Sequence, residues 1–83
     1  MKRGDAIRLI KRAARDRGLV FTGHALDEMD ADGETRESVA ASLRHGRSFA
    51  LQENGRWRVH GGSLTVVVQV EGNTVIVWTV FVG

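Results

Sequence analysis

Cysteine and proline are both absent from this chain of 83 residues. The absence of cysteine excludes disulfides, thiolate metal sites and thiol chemistry, and it is typical of a protein in a reducing cytoplasm. The chain also has no low-complexity tract and no internal repeat. A chain of this length builds one hydrophobic core, so we expect a single domain over residues 1–83.

Long hydrophobic runs are absent as well. The longest apolar run, Val75–Val82, is interrupted by Thr79 and is too short to cross a bilayer as a helix. Met1–Asp5 leads into a charged segment rather than an apolar one, which argues against a secretory signal. We therefore expect a cytoplasmic location and no membrane partner.

The net charge of +2 conceals a strong separation of charge along the chain. Residues 1–17 carry a local charge of +5, residues 24–37 one of −5, and residues 38–83 one of +2. Ten of the twelve basic residues are arginine, which favours bidentate contacts with phosphate or carboxylate groups. This pattern suits an anionic partner. It equally suits pairing between the first two segments, or a protein partner with complementary patches.

Apolar periodicity predicts three helices in the first half of the chain, over residues 5–17, 22–32 and 35–46. Asp5, Thr22 and Thr35 are the predicted N-caps, because their side chains can accept hydrogen bonds from the free N–H groups of a first turn. Leu19–Phe21 is predicted to be a short apolar strand or an extended entry to the second helix.

Alternation of apolar and polar residues predicts four strands in the second half, over residues 48–53, 56–60, 64–71 and 74–82. Asn54-Gly55 is the strongest hairpin signal in the chain. The predicted fold is α+β, with the N-terminal helices packed on a four-stranded antiparallel meander sheet. The last two strands are apolar on both faces, which predicts central positions and either a curled sheet or a dimer contact.

The strand at residues 56–60 has the most informative pattern. Alternation places Trp57 and Val59 on one face, and Arg56, Arg58 and His60 on the other. Two guanidinium groups and an imidazole on a rigid strand suit a bound phosphate and the charge that develops on it during cleavage. The alternative is the solvated face of a half-exposed sheet.

His24 lies at the start of the second predicted helix, where free N–H groups and the helix dipole favour an anion. An imidazole in that position suits proton transfer beside a phosphate. The alternative is a structural histidine bonded to a carbonyl or carboxylate. Glu28 follows one helical turn later, but no third ligand has the spacing of a metal site, so we expect no metal and no other cofactor.

Single polar residues interrupt the apolar strands at Thr65, Gln69 and Thr79, where each could add a hydroxyl or amide to the cationic surface. Trp57 and Trp78 are predicted core anchors, and either one stacks on a base only if it is exposed. No serine has a nucleophile-elbow context, and the chain has no phosphate-binding loop. A serine hydrolase therefore has no support.

Three segments carry a family resemblance: F-T-G-H-A-L at residues 21–26, N-G-R-W-R-V at 54–59 and L-T-V-V-V at 64–68. They resemble a family of small bacterial domains of unknown function that carry an F-T-x-H-A motif. Some members of that family are labelled as toxins of type II toxin–antitoxin systems, in the MqsR-like neighbourhood. The resemblance extends from about Leu19 to the end of the chain.

The resemblance implies a RelE-like or barnase-like fold and a metal-independent endoribonuclease whose sheet face holds RNA. The 2′-hydroxyl would attack the adjacent phosphate, with His24 or His60 as general base or acid. Arg58, together with Arg56, would stabilise the charge on the phosphorane, and Thr79 would bond a phosphate oxygen. A cognate antitoxin is the protein partner that the resemblance implies.

The sequence departs from the family pattern at Glu28 and Asp32, where many members carry arginine. Two further interpretations therefore stay open. One is a non-catalytic protein-interaction module, which binds an antitoxin segment or forms a homodimer through the apolar outer faces of the last two strands. The other is nucleic-acid binding without catalysis through the basic first helix, by way of Arg8, Arg12 and Arg15.

Overall fold

Three helices and five strands make up the protein in the computed structural model, which describes all of residues 1–83. The elements in chain order are α1 (Arg3–Arg15), β1 (Leu19–Phe21), α2 (Gly23–Ala31), α3 (Arg36–Arg44), β2 (Ser48–Leu51), β3 (Trp57–Gly61), β4 (Leu64–Glu71) and β5 (Thr74–Val82). None of the helices combines the length and the apolar character needed to span a membrane.

The predicted α+β class is confirmed, but the predicted four-stranded antiparallel sheet is wrong. The sheet has five strands in the order β1-β5-β4-β3-β2. β2 to β5 form the antiparallel meander, and β1 adds a parallel strand, with Leu19 opposite Val75 and Phe21 opposite Val77. Three apolar residues do not specify a partner strand more than fifty residues away, so this pairing depends on the packing of the helices.

The predicted caps of the second and third helices are confirmed. Thr22 Oγ1 accepts a hydrogen bond from the Ala25 N–H at 3.1 Å. Thr35 and Ser38 form a reciprocal capping box at the start of α3. These side chains satisfy backbone donors that a helix leaves free in its first turn, so they fix where α2 and α3 begin.

The predicted cap of the first helix is wrong. α1 begins at Arg3, preceded by Lys2, and no side chain caps it. Asp5 lies within the first turn and pairs with Arg8. A carboxylate in the first turn is favoured by the helix dipole without occupying the cap position, so the same sequence is compatible with an earlier start.

All three helices pack on one face of the sheet, and a single core lies between them. Ile10 of α1, Met29 of α2 and Leu43 of α3 share this buried cluster with Val66 of β4 and Val77 of β5. Removal of these side chains from water is the main stabilising contribution. The opposite face of the sheet has no helix against it; we call it the open face.

A β-bulge interrupts the pairing of the two longest strands. Val67 lies opposite Thr79, whereas Val68 lies opposite Val77, so Trp78 is the extra residue of β5. Strict alternation along β5 predicts that Thr79 shares a face with Val77. The bulge makes that prediction wrong from Thr79 onward.

The bulge changes which side chains of β5 reach each face. Val80 enters the core and is 1% exposed. Thr79 and Phe81 therefore lie on the open face, because side chains alternate again after the bulge. Trp78 lies on the same face, so the end of β5 places two aromatic rings and a hydroxyl on the surface that the helices leave uncovered.

Candidate functional site

The open face carries the predicted cationic strip. The middle of this face is formed by side chains of β3 and the residue before it, of β4 and of β5: Arg56, Arg58, His60, Thr65, Val67, Gln69, Glu71, Ile76, Trp78, Thr79 and Phe81. At its margins, β2 adds Ser48 and Ala50, and β1 adds Val20. Four of the five predicted site residues are therefore on one surface, namely Arg56, Arg58, His60 and Thr79. The fifth, His24, is elsewhere.

Arg56 lies flat against Trp78. The guanidinium carbon is 4.1 Å from the centre of the indole ring, within the range of a cation–π contact. Arg56 Nε also donates to Gln69 Oε1 at 3.3 Å, which orients the guanidinium over the ring. The indole Nε1–H of Trp78 is buried and has no acceptor. Trp78 thus stacks with Arg56 on the open face and is not part of the buried core cluster, so the prediction of a core anchor is wrong for this residue.

Arg58 is the most accessible cation of the strip. Its guanidinium carbon lies 5.7 Å from the centre of the Phe81 ring, and it makes no ion pair. In the sheet it lies opposite Val67, which in turn lies opposite Thr79. Val67 is only 6% exposed although no helix covers it, so neighbouring side chains of the open face shield it. Because no carboxylate pairs with Arg58, its guanidinium is free to bind an anion.

His60 is held by a short hydrogen-bond chain. Its Nδ1 is 3.2 Å from Thr65 Oγ1, and the Thr65 hydroxyl donates to the Gly83 carbonyl. A hydroxyl has one proton, so His60 Nδ1 is the donor to Thr65. In neutral His60 the other nitrogen, Nε2, then carries no proton and is available to accept one.

Acidic side chains are nearly absent from the open face. Glu71 is the one carboxylate on it, at the far end of β4, and it accepts a hydrogen bond from Gln69 Nε2 at 2.8 Å. Arg56 and Arg58 thus have no carboxylate partner. Guanidinium groups beside aromatic rings provide both halves of a nucleotide site: phosphate contacts and surfaces on which bases stack.

His24 does not join this surface. Its Nε2 is 3.4 Å from Glu28 Oε2 at the outer side of α2, and its side chain is 65% exposed. α2 packs along β5, while Arg58 lies on β3, two strands across the sheet. Two interstrand spacings amount to roughly 10 Å, so the structure places His24 apart from Arg58 and His60 and does not bring the three predicted catalytic residues together. The contact with Glu28 agrees with the alternative interpretation of His24, a structural histidine bonded to a carboxylate.

Glu28 has a structural role that its position in the sequence does not indicate. Its Oε1 accepts a hydrogen bond from the Val80 backbone N–H at 3.0 Å. β1 ends at Phe21, which leaves this part of β5 without a neighbouring strand on that side. Glu28 therefore satisfies an edge donor of β5. The Glu28 carboxylate therefore binds the edge of β5 and adds no negative charge to the open face.

We expect Glu28→Ala to lower the free energy of unfolding by about 1–3 kcal/mol, because the Val80 N–H loses its acceptor. Glu28→Gln keeps an acceptor oxygen and should lose much less. Urea unfolding followed by circular dichroism measures both, with Asp27→Ala as an exposed neighbouring control. Equal losses for the alanine and glutamine variants would contradict this role for Glu28.

The charged segments do not neutralise each other. The ion pairs of the structure are Arg8–Asp5, Arg15–Asp16, His24–Glu28 and Arg44–Glu37. None joins residues 1–17 to residues 24–37. Pairing between these segments, one of the three explanations for the charge separation, is therefore not observed, and both charged surfaces face solvent.

Sequence reasoning missed Phe81 and placed Trp78 in the core. Alternation alone puts Trp78 and Phe81 on opposite faces of β5, and only the bulge brings both to the open face. A signal did exist: Trp78 and Thr79 interrupt the run of valines in β5, which suggests a change in the strand at that point.

No family model, curated protein or solved structure matches the chain. The chemistry of the open face is therefore the main guide to the function of this chain.

Proposed function

We propose that the open face binds single-stranded RNA. The observation that carries this proposal is the stacking of Arg56 on Trp78 at 4.1 Å, beside the unpaired Arg58. Proteins that hold single strands combine a cationic surface for the backbone with aromatic rings on which bases stack. The flat face of a sheet presents both to an extended strand, and the near absence of carboxylates there avoids repulsion of phosphates.

Two features favour RNA as the nucleic acid. His60 Nε2 can accept a hydrogen bond from a 2′-hydroxyl, a group that DNA lacks. The resemblance drawn from the sequence points the same way, because some members of that family are labelled as toxins and related toxins cut RNA. Thr79, one strand from Val67 and two from Arg58, adds a hydroxyl that can bond a phosphate oxygen.

Cleavage of the bound RNA is the second candidate function, and it makes the protein a toxin-like endoribonuclease. The observation that favours it is the position of His60 Nε2 on the same strand face as Arg58, two residues apart. His60 takes the proton of the 2′-hydroxyl as the 2′-oxygen bonds to phosphorus. The bond from phosphorus to the 5′-oxygen breaks, and that oxygen takes a proton from water. Arg58 stabilises the phosphorane charge, and no metal enters the scheme.

The binding proposal is tested by fluorescence anisotropy with a labelled single-stranded RNA. We expect Arg58→Ala to weaken binding about tenfold, since it removes the guanidinium that contacts phosphate beside the Phe81 ring. Arg12→Ala, which removes one exposed charge from α1, is the matched control and should change affinity less. Quenching of tryptophan fluorescence on binding would locate the RNA at Trp78. Equal affinity of the wild type and Arg58→Ala would overturn the proposal.

The same samples test cleavage. Denaturing gel analysis should show fragments ending in a 2′,3′-cyclic phosphate with the wild type, and none with His60→Gln. Binding without fragments would leave a non-catalytic nucleic-acid-binding module as the function. Absence of RNA binding together with a dimer in sedimentation would instead favour the predicted protein interface on the open face.

A further inference from the structure

A concave surface lies on the helix side of the molecule, away from the open face. It has a volume of about 400 Å³ and lies between the end of α1, β1 and the start of α3. Its lining consists of Ala14, Arg17, Leu19, Phe21, Arg36, Glu37 and Ala40. This size is within the range of pockets that hold small molecules. None of these residues takes part in the open face.

The cavity carries an excess of positive charge. Arg17 and Arg36 line it, and neither makes an ion pair. Glu37 is the one acid of the lining, and its carboxylate is bound by Arg44 Nη2 at 2.9 Å. Two guanidinium groups are therefore left without a carboxylate, and together they can bind an oxyanion through several charge-assisted hydrogen bonds.

Arg17 has an unfavourable backbone conformation. It is the one residue other than glycine with a positive φ, at 58°. A side chain in this left-handed region costs about 1–2 kcal/mol, and glycine usually occupies the position after a helix end. Arg17 follows the end of α1, and Gly18 comes one residue too late to avoid the strain. Strain of this kind is found where a side chain has a functional position to keep.

The remaining lining is apolar and includes an aromatic ring. Leu19 and Phe21 come from β1, and Ala14 and Ala40 come from the flanking helices. The guanidinium carbon of Arg36 lies 5.4 Å from the centre of the Phe21 ring, so cation and ring border the same space. A ligand that fits must combine an anionic group with a flat apolar body.

We propose that this cavity binds a small organic anion: a phosphate monoester or a carboxylate attached to a planar apolar group. Arg17 and Arg36 bind the oxyanion, and Phe21 contacts the body of the ligand. Both head groups present the same chemistry, oxygens that accept from two guanidinium forks. The site is independent of RNA binding, since it lies on the helix side of the sheet.

The test is a titration followed by amide NMR shifts of Leu19, Phe21 and Ala40, with phenyl phosphate, benzoate, benzyl alcohol and inorganic phosphate as separate probes. We expect phenyl phosphate or benzoate to bind at least about tenfold more tightly than benzyl alcohol or inorganic phosphate. Tighter binding of phenyl phosphate assigns the site to phosphate monoesters, and tighter binding of benzoate assigns it to carboxylates.

Arg17→Gly separates binding from folding. Glycine accepts the positive φ without strain, so this variant should melt at the wild-type temperature or slightly above, yet lose affinity at least about tenfold. Arg36→Gln should also lose affinity, whereas Arg12→Ala and Arg58→Ala should retain it. Wild-type affinity in a folded Arg17→Gly variant would overturn the proposal. So would no binding of either aromatic anion at millimolar concentrations.

Discussion

Gly61→Ala is expected to destabilise the protein by roughly 3 kcal/mol or more, at the upper end of the cost of adding a methyl group to a packed interior. A Cβ atom at Gly61 would overlap the Ser42 carbonyl oxygen of α3 and lie 3.2 Å from Gly46 Cα. Both neighbours are backbone, so relief requires movement of α3 away from β3. Ser42 Oγ also donates to the Gly61 carbonyl at 2.8 Å in this contact, and its hydrogen bond would be disturbed.

Gly23→Ala is the matched control for this effect. Gly23 is the first residue of α2, and a Cβ there meets nothing within 4 Å. Alanine at that position should be neutral or stabilise the protein by up to about 1 kcal/mol, because glycine has the greater entropy in the unfolded chain. Guanidinium unfolding followed by circular dichroism compares the two variants. Similar midpoints would show that α3 does not require glycine at position 61.

The close approach at Gly61 also determines what lies beside the backbone of His60. A glycine beside a candidate site residue suggests room for a ligand. In the structure the space at Gly61 is filled by α3 of the same chain. Packing of α3 on one face of β3 therefore fixes the backbone at His60, whereas the His60 side chain lies half-buried on the open face.

The second large effect is expected on the affinity for single-stranded RNA. Arg56→Glu combined with Arg58→Glu is expected to lower affinity for single-stranded RNA about a hundredfold or more, since two attractive charges become repulsive. Loss of two phosphate contacts should also reduce the slope of log K against log salt concentration by about 1.4. Anisotropy titrations at several salt concentrations give both quantities.

Arg12→Glu combined with Arg15→Glu makes the same change of charge on α1. If the open face is the binding surface, this variant loses little affinity, because only the long-range field changes. The reverse result, with binding lost in the α1 variant and kept in the sheet variant, would assign RNA to the basic first helix. The pair of variants therefore distinguishes the two nucleic-acid hypotheses directly.

Much of the fold was predictable because its signals are local. The bounds of β4 and β5 agree with the prediction, and Thr22 and Thr35 cap the helices as predicted. Turn glycines and side-chain caps act over a few residues, so the sequence carries their effect directly. The pairing of Leu19–Phe21 with β5 is different, because it joins segments far apart in the chain.

The candidate site likewise has a part that local sequence signals predicted and a part that depends on long-range packing. The shared face of Arg56, Arg58 and His60 follows from strand alternation and was predicted. The separation of His24 from that face was not predicted, because the position of His24 depends on how α2 packs along the edge of β5.

The sequence alone determined an α+β chain, a four-strand meander and a cationic strip on β3, since period-two alternation, turn residues and caps operate between neighbours. The tertiary structure decided what surrounds that strip. A bulge at Trp78 moves Thr79 and Phe81 to the open face, and helix packing on the other face leaves this one uncovered. One extra residue in a strand moves every later side chain to the opposite face of the sheet. The position of this bulge depends on the pairing of β5 with β4, which is a contact between separate strands and is not specified by neighbouring residues alone.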